Sequence, residues 1–180
     1  MNQYGIELIP ADISLAETLA AFYRRNREYL ARFEPKREET FFTPEYQLEV
    51  LKKEMQDRAD RRSFRFYIQP NDRQGKIIGI IGLNNIVWGA FRSAKLGYKM
   101  DKDFCSKGFM TASVAEVVRF AFDELKLHRI EANVMPRNTA SLRVLEKNGF
   151  ENEGLSKYYL NINGVWEDHV HMVKINFALH

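Results

Sequence analysis

Apolar residues change their spacing several times along the chain, and each change marks an element. "GIELIP" at 5–10 is short and mostly apolar and predicts a first strand. From about Ser14 to Phe33 the apolar positions Leu15, Leu19, Phe22 and Leu30 share one face at helical spacing, and Pro35 ends the pattern. "TPEYQLEVLKKEMQDRADRR" opens with Thr43 as a side-chain cap and Pro44 where its missing N–H costs nothing, so a second helix is predicted. "FRFYIQ", "KIIGIIGL" and "SAKLGYKM" then read as three strands, the first two joined through "PNDRQG" as an antiparallel hairpin.

Between Thr111 and Lys126 the residues Val114, Val117, Val118, Ala121, Phe122 and Leu125 recur at helical spacing, predicting a long central helix packed on the sheet. "RIEANVMP" is the next strand. In "MPRNTASLRVLEKNGF" at 135–150, Asn138 is a fitting cap for a short helix, Gly149 a left-handed stop, and Phe150 the apolar residue that folds back. "LSKYYLNINGVWEDHVHMVKI" supplies two strands around Asn163 and Gly164, the pair a type I′ turn favours because both central residues need positive φ. The order β, α, α, three β, α, β, α, ββ defines a mixed α/β (α+β) fold without repeats or low-complexity linkers, read as a single domain over 1–180.

Composition adds limits. A chain of 180 residues with 45% hydrophobic content can bury one substantial core. The apolar run "IIGIIGL" at 77–83 is too short to span a bilayer, and the N-terminus lacks the basic-then-apolar order of a signal peptide. Cys105 is the single cysteine and cannot form an internal disulfide. These features predict a cytoplasmic protein with no membrane partner. A net charge of +3 without a dense Lys/Arg tract gives no reason to expect direct nucleic-acid binding, and the charged stretches "YRRNREYLARFEPKREE" and "RADRR" read as solvated helix faces. Monomer and homodimer both remain open.

Candidate chemistry begins at "DFCSKGFMT", 103–111, which puts Lys107 and Gly108 at the start of the central helix. Unpaired N–H groups and the helix dipole favour an anion there, and glycine permits close approach. Neither a P-loop nor a dinucleotide-binding glycine motif is present.

This strand, loop and helix, followed by a strand ending in Pro136 and a helix carrying Asn138 and Ser141, resembles the acetyl-CoA site of the GNAT superfamily of N-acetyltransferases. The likeness is strongest to the Rim-type ribosomal-protein-alanine N-acetyltransferases, in "FAFDELKLHRIEANVMPRNTASLRVLEKNGFENEG" and "NGVWEDH", where N-x-x-S, [KR]-x-G-F and G-x-W-x-D occur together and in order. The resemblance implies a central, mostly antiparallel sheet, splayed at the cofactor site and flanked by helices. It implies acetyl-CoA as cosubstrate and no metal. Backbone amides of Ser106, Lys107, Gly108, Phe109, Met110 and Thr111 would hold the pyrophosphate. Tyr98, Lys99 and Met100 would lie along the pantetheine arm, Asn138 would hydrogen-bond it, and Ser141 would stand near the sulfur. The sequence departs from the family pattern at Cys105, where glutamine or arginine is usual, at Met110, where a small residue is usual, and at Ser106, where many relatives have glycine.

Direct acetyl transfer needs a neutral amine, a stabilised oxyanion and a proton for the leaving thiolate. An α-amino group, with a pKa of about 7.7–8.0 against about 10.4 for lysine, needs little help near neutrality. The resemblance implies a protein or peptide N-terminus as acceptor, with a ribosomal protein as the candidate partner, and this pKa suits it. A small-amine or antibiotic acetyltransferase and a CoA-binding module without turnover are the alternatives. Ser141 is the expected proton donor, with Tyr158 and Tyr159 as substitutes, a backbone N–H near Met100 is the oxyanion donor, and Glu131 is the carboxylate to which water could relay the amine proton. The first two helices and "NNIVWGAF" are expected to form the acceptor cleft, with Trp88 and Phe91 either walling it or simply packing. His169 and His171 lack a third ligand for zinc, Asp168 beside His169 lacks a nucleophilic serine, and Cys105 lacks a base.

Overall fold

The chain forms the predicted elements in the predicted order; the computed structural model describes residues 5–73 and 75–179. Strand β1 is Ile6–Pro10, helix α1 Ala16–Leu30, α2 Pro44–Ala59, β2 Phe64–Pro70, β3 Gly79–Val87, β4 Ser93–Met100, α3 Phe109–Asp123, β5 Arg129–Val134, α4 Thr139–Lys147, β6 Glu151–Ile162 and β7 Val165–Ile175. Seven strands make one sheet in the order β1-β2-β3-β4-β5-β7-β6. Every pairing is antiparallel except β4 with β5, which α3 connects as a crossover. The antiparallel pairing of β2 with β3 agrees with the expected hairpin, although Gln74 of its turn lies outside the described residues.

One face of the sheet packs on α3 through Val114, Val117 and Ala121 against Ile81, Leu83, Ile130 and Ala132. The other packs on α1 and α2 through Leu19, Phe22 and Leu51 against Tyr67, Ile77 and Ile80. Local chemistry fixes the ends. Thr43 accepts from Tyr46 N at 3.3 Å and Pro44 opens α2. Helix α4 ends in a Schellman arrangement: Gly149 has φ +71°, its N–H donates to Glu146 O, and Phe150 N–H donates to Leu145 O, with both Leu145 and Phe150 buried. The β6–β7 hairpin turns through Asn163 at φ +54° and Gly164 at φ +90°, as a type I′ turn requires.

Several boundaries differ from the sequence reading. Helix α1 stops at Leu30, where Phe33 N–H turns back to Leu30 O. Strand β3 continues through Val87 past a bulge at Asn85, so half of "NNIVWGAF" is strand. Strand β6 starts at Glu151, because pairing with β7 recruits a stretch with little strand propensity of its own.

The feature that positions the site is where β4 and β5 stop pairing. They are in register at Ser93 with Arg129, Ala94 with Ile130 and Lys95 with Glu131, and no further. At the closed end His128 N and Arg129 N both donate to Arg92 O, at 2.7 and 3.2 Å. At the open end Asp101, 1% exposed, anchors the chain as it leaves β4.

Candidate active site

Beyond Lys95 and Glu131 the parted strands leave a cleft of about 580 Å³, lined from β4 by Tyr98, Lys99 and Met100 and from the neighbouring segments by Ser106, Lys107, Gly108, Phe109, Met110, Thr111, Asn138 and Ser141. The cleft thus gathers all of the residues expected around a cofactor. On its β5 side, residues 96–100 have no strand partner, leaving a row of backbone amides on the cleft.

The 103–111 loop is held from beneath. Asp101 accepts from Arg25 Nε at 2.6 Å and from Asp103 N at 3.1 Å, while Asn26 Oδ1 accepts from Lys102 N at 3.0 Å. Burial pushes the Asp101 carboxyl up, but the hydrogen bonds from Arg25, Asp103 and Asn26 and the guanidinium charge outweigh it, and the net result lies below the usual aspartate value. Ser106 at φ +60° and Gly108 at φ +83° take left-handed conformations two residues apart. Gly108 caps α3, whose first bond is Ala112 N–H to Gly108 O at 3.0 Å, so the N–H groups of Phe109, Met110 and Thr111 precede the ladder. A loop with left-handed turns and free helix N–H groups fits a pyrophosphate.

Two of the departures from the family pattern, Met110 and Cys105, have partners in the fold. Met110 is buried in the core against α3's face of the sheet and leaves only its backbone to the loop. Cys105 Sγ lies 3.3 Å from Tyr29 Oη and donates to Asp101 O at 3.4 Å. Burial, with the Cys105 contact added, pushes the Tyr29 phenol up to about 12. Cys105 therefore ties the loop to α1.

Asn138 caps α4 as expected, its Oδ1 accepting from Ser141 N at 3.3 Å, and its Nδ2 makes no hydrogen bond among the described residues. Ser141 Oγ does not turn back on its own helix. It lies 2.8 Å from Tyr98 Oη, which is also 3.1 Å from Ser141 O. Burial pushes the Tyr98 phenol up to about 12, against a smaller lowering from Ser141, so this side chain is a proton holder near neutrality.

The far side of the cleft was less legible. Tyr29 and Leu30 at the end of α1 and Phe33 and Glu34 in the turn after it line it, as does His169 of β7. Glu34 Oε2 accepts from Lys99 Nζ at 2.7 Å, with Arg37 at 3.7 Å. Glu131 is not among the lining residues: Arg129 Nε donates to it at 2.7 Å and His171 Nε2 stands 3.6 Å away. Trp88 also lies off the cleft, donating to Arg61 O at 3.0 Å under the Arg61 guanidinium, and Phe91 is exposed. Tyr158 is exposed at φ +50°, its N–H held by Asp168 Oδ1 at 2.8 Å, which gives the aspartate of "WED" a structural job. Tyr159 packs on His169 at 5.2 Å between ring centres.

Comparison with known proteins agrees with this geometry. Residues 6–151 match the Acetyltransferase (GNAT) domain, and the chain belongs to that family. It is an N-acetyltransferase whose acetyl donor is acetyl-CoA. Among individual proteins, it is 41% identical over 170 residues to the Probable N-acetyltransferase YjcK of Bacillus subtilis (strain 168), covering 93% of this chain and 92% of that one. The crystal structure of ribosomal-protein-S5-alanine acetyltransferase from Vibrio fischeri is 36% identical and superposes with a TM-score of 0.94 over 98% of this chain and 96% of that chain. Mycobacterium smegmatis RimJ, solved in complex with CoA-disulfide, is 28% identical with a TM-score of 0.90 over 97% and 83% of the two chains. Among the described residues no helix is long and apolar enough to cross a membrane.

Proposed function

We propose that the chain acetylates the N-terminal α-amino group of a protein, a ribosomal protein being the first candidate, by direct transfer from acetyl-CoA bound in the β4–β5 cleft. The observation that carries this reading is the cleft itself. It passes from the α3–α4 side, where the amide loop and Asn138 lie, to the α1 side, where Glu34, Lys99 and His169 stand. Donor and acceptor can therefore enter from opposite faces and meet between the strands. Likeness to the S5-alanine enzyme of Vibrio fischeri, at 36% identity over nearly the whole chain, supports the α-amine acceptor.

In this reading the loop amides from Ser106 to Thr111 and the N-terminus of α3 bind the pyrophosphate, with Lys107 adding charge. The free backbone edge of Tyr98, Lys99 and Met100 pairs with the amides of the pantetheine arm, Asn138 Nδ2 adds a hydrogen bond, and an N–H of the same edge near Met100 meets the developing oxyanion. When Tyr98 turns its proton from Ser141 O to Ser141 Oγ, the Ser141 proton is free for the departing thiolate, and the pair of hydroxyls carries the replacement. The amine attacks the thioester carbon, the C–N bond forms, the C–S bond breaks, and sulfur takes the proton.

Thiol release from acetyl-CoA with an Ala-starting peptide, spermidine and an aminoglycoside tests the acceptor class. Turnover fastest by at least tenfold with the peptide is expected. Faster turnover with either small amine would replace this reading by the small-amine one, and binding of acetyl-CoA without accelerated thiol release by any of the three would favour the binding module.

A further inference from the structure

Acetyl transfer also requires a group that takes the proton from the acceptor amine, and the cleft offers few. Glu34 carries Lys99 on its carboxylate, Glu131 is held by Arg129 away from the lining, and the Tyr29 and Tyr98 phenols are pushed up by burial into proton-holding states. His169 differs from all of these. It is 5% exposed, lines the cleft, and its Nδ1 lies 3.1 Å from Glu167 O. A carbonyl oxygen can only accept, so Nδ1 carries the hydrogen and Nε2 of the neutral ring is left with the lone pair. Nε2 makes no hydrogen bond among the described residues. The ring is fixed from the other side by Tyr159, whose hydroxyl is held by Asn133 Nδ2 at 3.1 Å and Lys95 Nζ at 3.5 Å.

We propose that His169 Nε2 is the proton acceptor for the incoming amine, with the Glu167 carbonyl and the Tyr159 ring as its positioning contacts. The inference rests on the acetyl-transfer reading of the cleft and adds the identity of the base. Nε2 takes the proton of the bound α-ammonium and passes it to water, which frees the nitrogen lone pair to form the new C–N bond; the second proton that the nitrogen loses as the amide forms balances the one delivered to sulfur. Charged groups nearby are already paired: Glu167 with Arg137, Glu131 with Arg129, and Glu34 with Lys99. That leaves the imidazole as the uncommitted base.

His169→Asn keeps an N–H donor where Nδ1 stood and removes Nε2; His169→Gln is the second variant. Both are assayed with the Ala-starting peptide, spermidine and an aminoglycoside, and retention of the acetyl-CoA thermal shift shows that each variant is folded. Near pH 7 we expect kcat with the best acceptor to fall about 10²- to 10⁴-fold while the KM for acetyl-CoA stays within about twofold. The deficit should shrink above about pH 8, where a free α-amino group is mostly neutral without a base. A deficit constant across pH in both variants, or full activity in either, overturns the role of His169. A wild-type protein that turns over spermidine but not the peptide overturns the α-amine reading alone, because the base is then tested with spermidine.

Discussion

Tyr98 Oη, on strand β4, lies 2.8 Å from Ser141 Oγ in the first turn of α4. The contact spans the cleft where β4 and β5 have parted and joins β4 to the capped helix α4. Two hydroxyls arranged in this way can move a proton without moving a backbone.

Ser141→Ala should therefore lower kcat by about 10²- to 10⁴-fold with little change in the KM for acetyl-CoA, because a proton delivered to the leaving group acts in the transition state. Tyr98→Phe should lower kcat less, since Ser141 keeps its own proton. The cap rests on Asn138, so the melting temperature of Ser141→Ala should stay close to that of the wild type. Steady-state kinetics with varied acetyl-CoA, beside thermal melts, check both.

Gly108 is the cap of α3 and sits at φ +83°. Acetyl-CoA at a hundred times its Kd should stabilise the fold by about 2.7 kcal/mol, read as a rise in melting temperature. Gly108→Asp should remove that rise, because a carboxylate would stand where phosphate approaches. Gly108→Ala, which carries only the strain of a left-handed non-glycine residue, about 1–3 kcal/mol, should keep most of it. Calorimetry on the three proteins with and without acetyl-CoA separates charge from strain.

The Arg25–Asp101 pair, 2.6 Å apart with Asp101 buried, anchors the start of the loop. The Asp101 carboxyl is lowered in the fold, so its contribution is present above the unfolded aspartate value of about 3.9 and is lost as pH falls through the lower folded value. Acid unfolding should reflect this below about pH 4. Asp101→Ala takes the carboxylate from Arg25, which keeps its bond to Ile77 O, and should cost about 1.5–3 kcal/mol at pH 7, with a flatter acid limb and weaker acetyl-CoA binding. Urea melts between pH 3 and 7 test the prediction.

Much of the α3–α4 side of the cleft was legible because its signals are local. Thr43–Pro44, Asn138, Gly149 and Asn163–Gly164 are caps and turns whose residue types have their own backbone reasons, and each does the expected work. The helical spacing of Val114, Val117 and Ala121 located α3 and hence the loop before it. The α1 side of the cleft was hidden because it is assembled over long separations: Glu34 meets Lys99 across 65 positions, and Tyr29 meets Cys105 across 76. No periodicity carries that information. Trp88 and Phe91 were ambiguous for a related reason, since aromatic residues after a strand read alike whether they wall a cleft or, as with Trp88, cover an arginine at a helix end. Glu131 alternates with the core residues Ile130 and Ala132, which announced its face of β5 but not the arginine two residues before it that occupies its carboxylate.

The most direct test of the central claim is mass spectrometry of a peptide pair incubated with the protein and acetyl-CoA. One peptide begins with a free alanine and contains an internal lysine, and the other is identical except for a blocked α-amino group. The account predicts a single acetyl group, located by fragmentation on the alanine nitrogen of the first peptide, and an unmodified second peptide. Acetylation of the lysine in both peptides, or of neither peptide while spermidine is consumed, would contradict it.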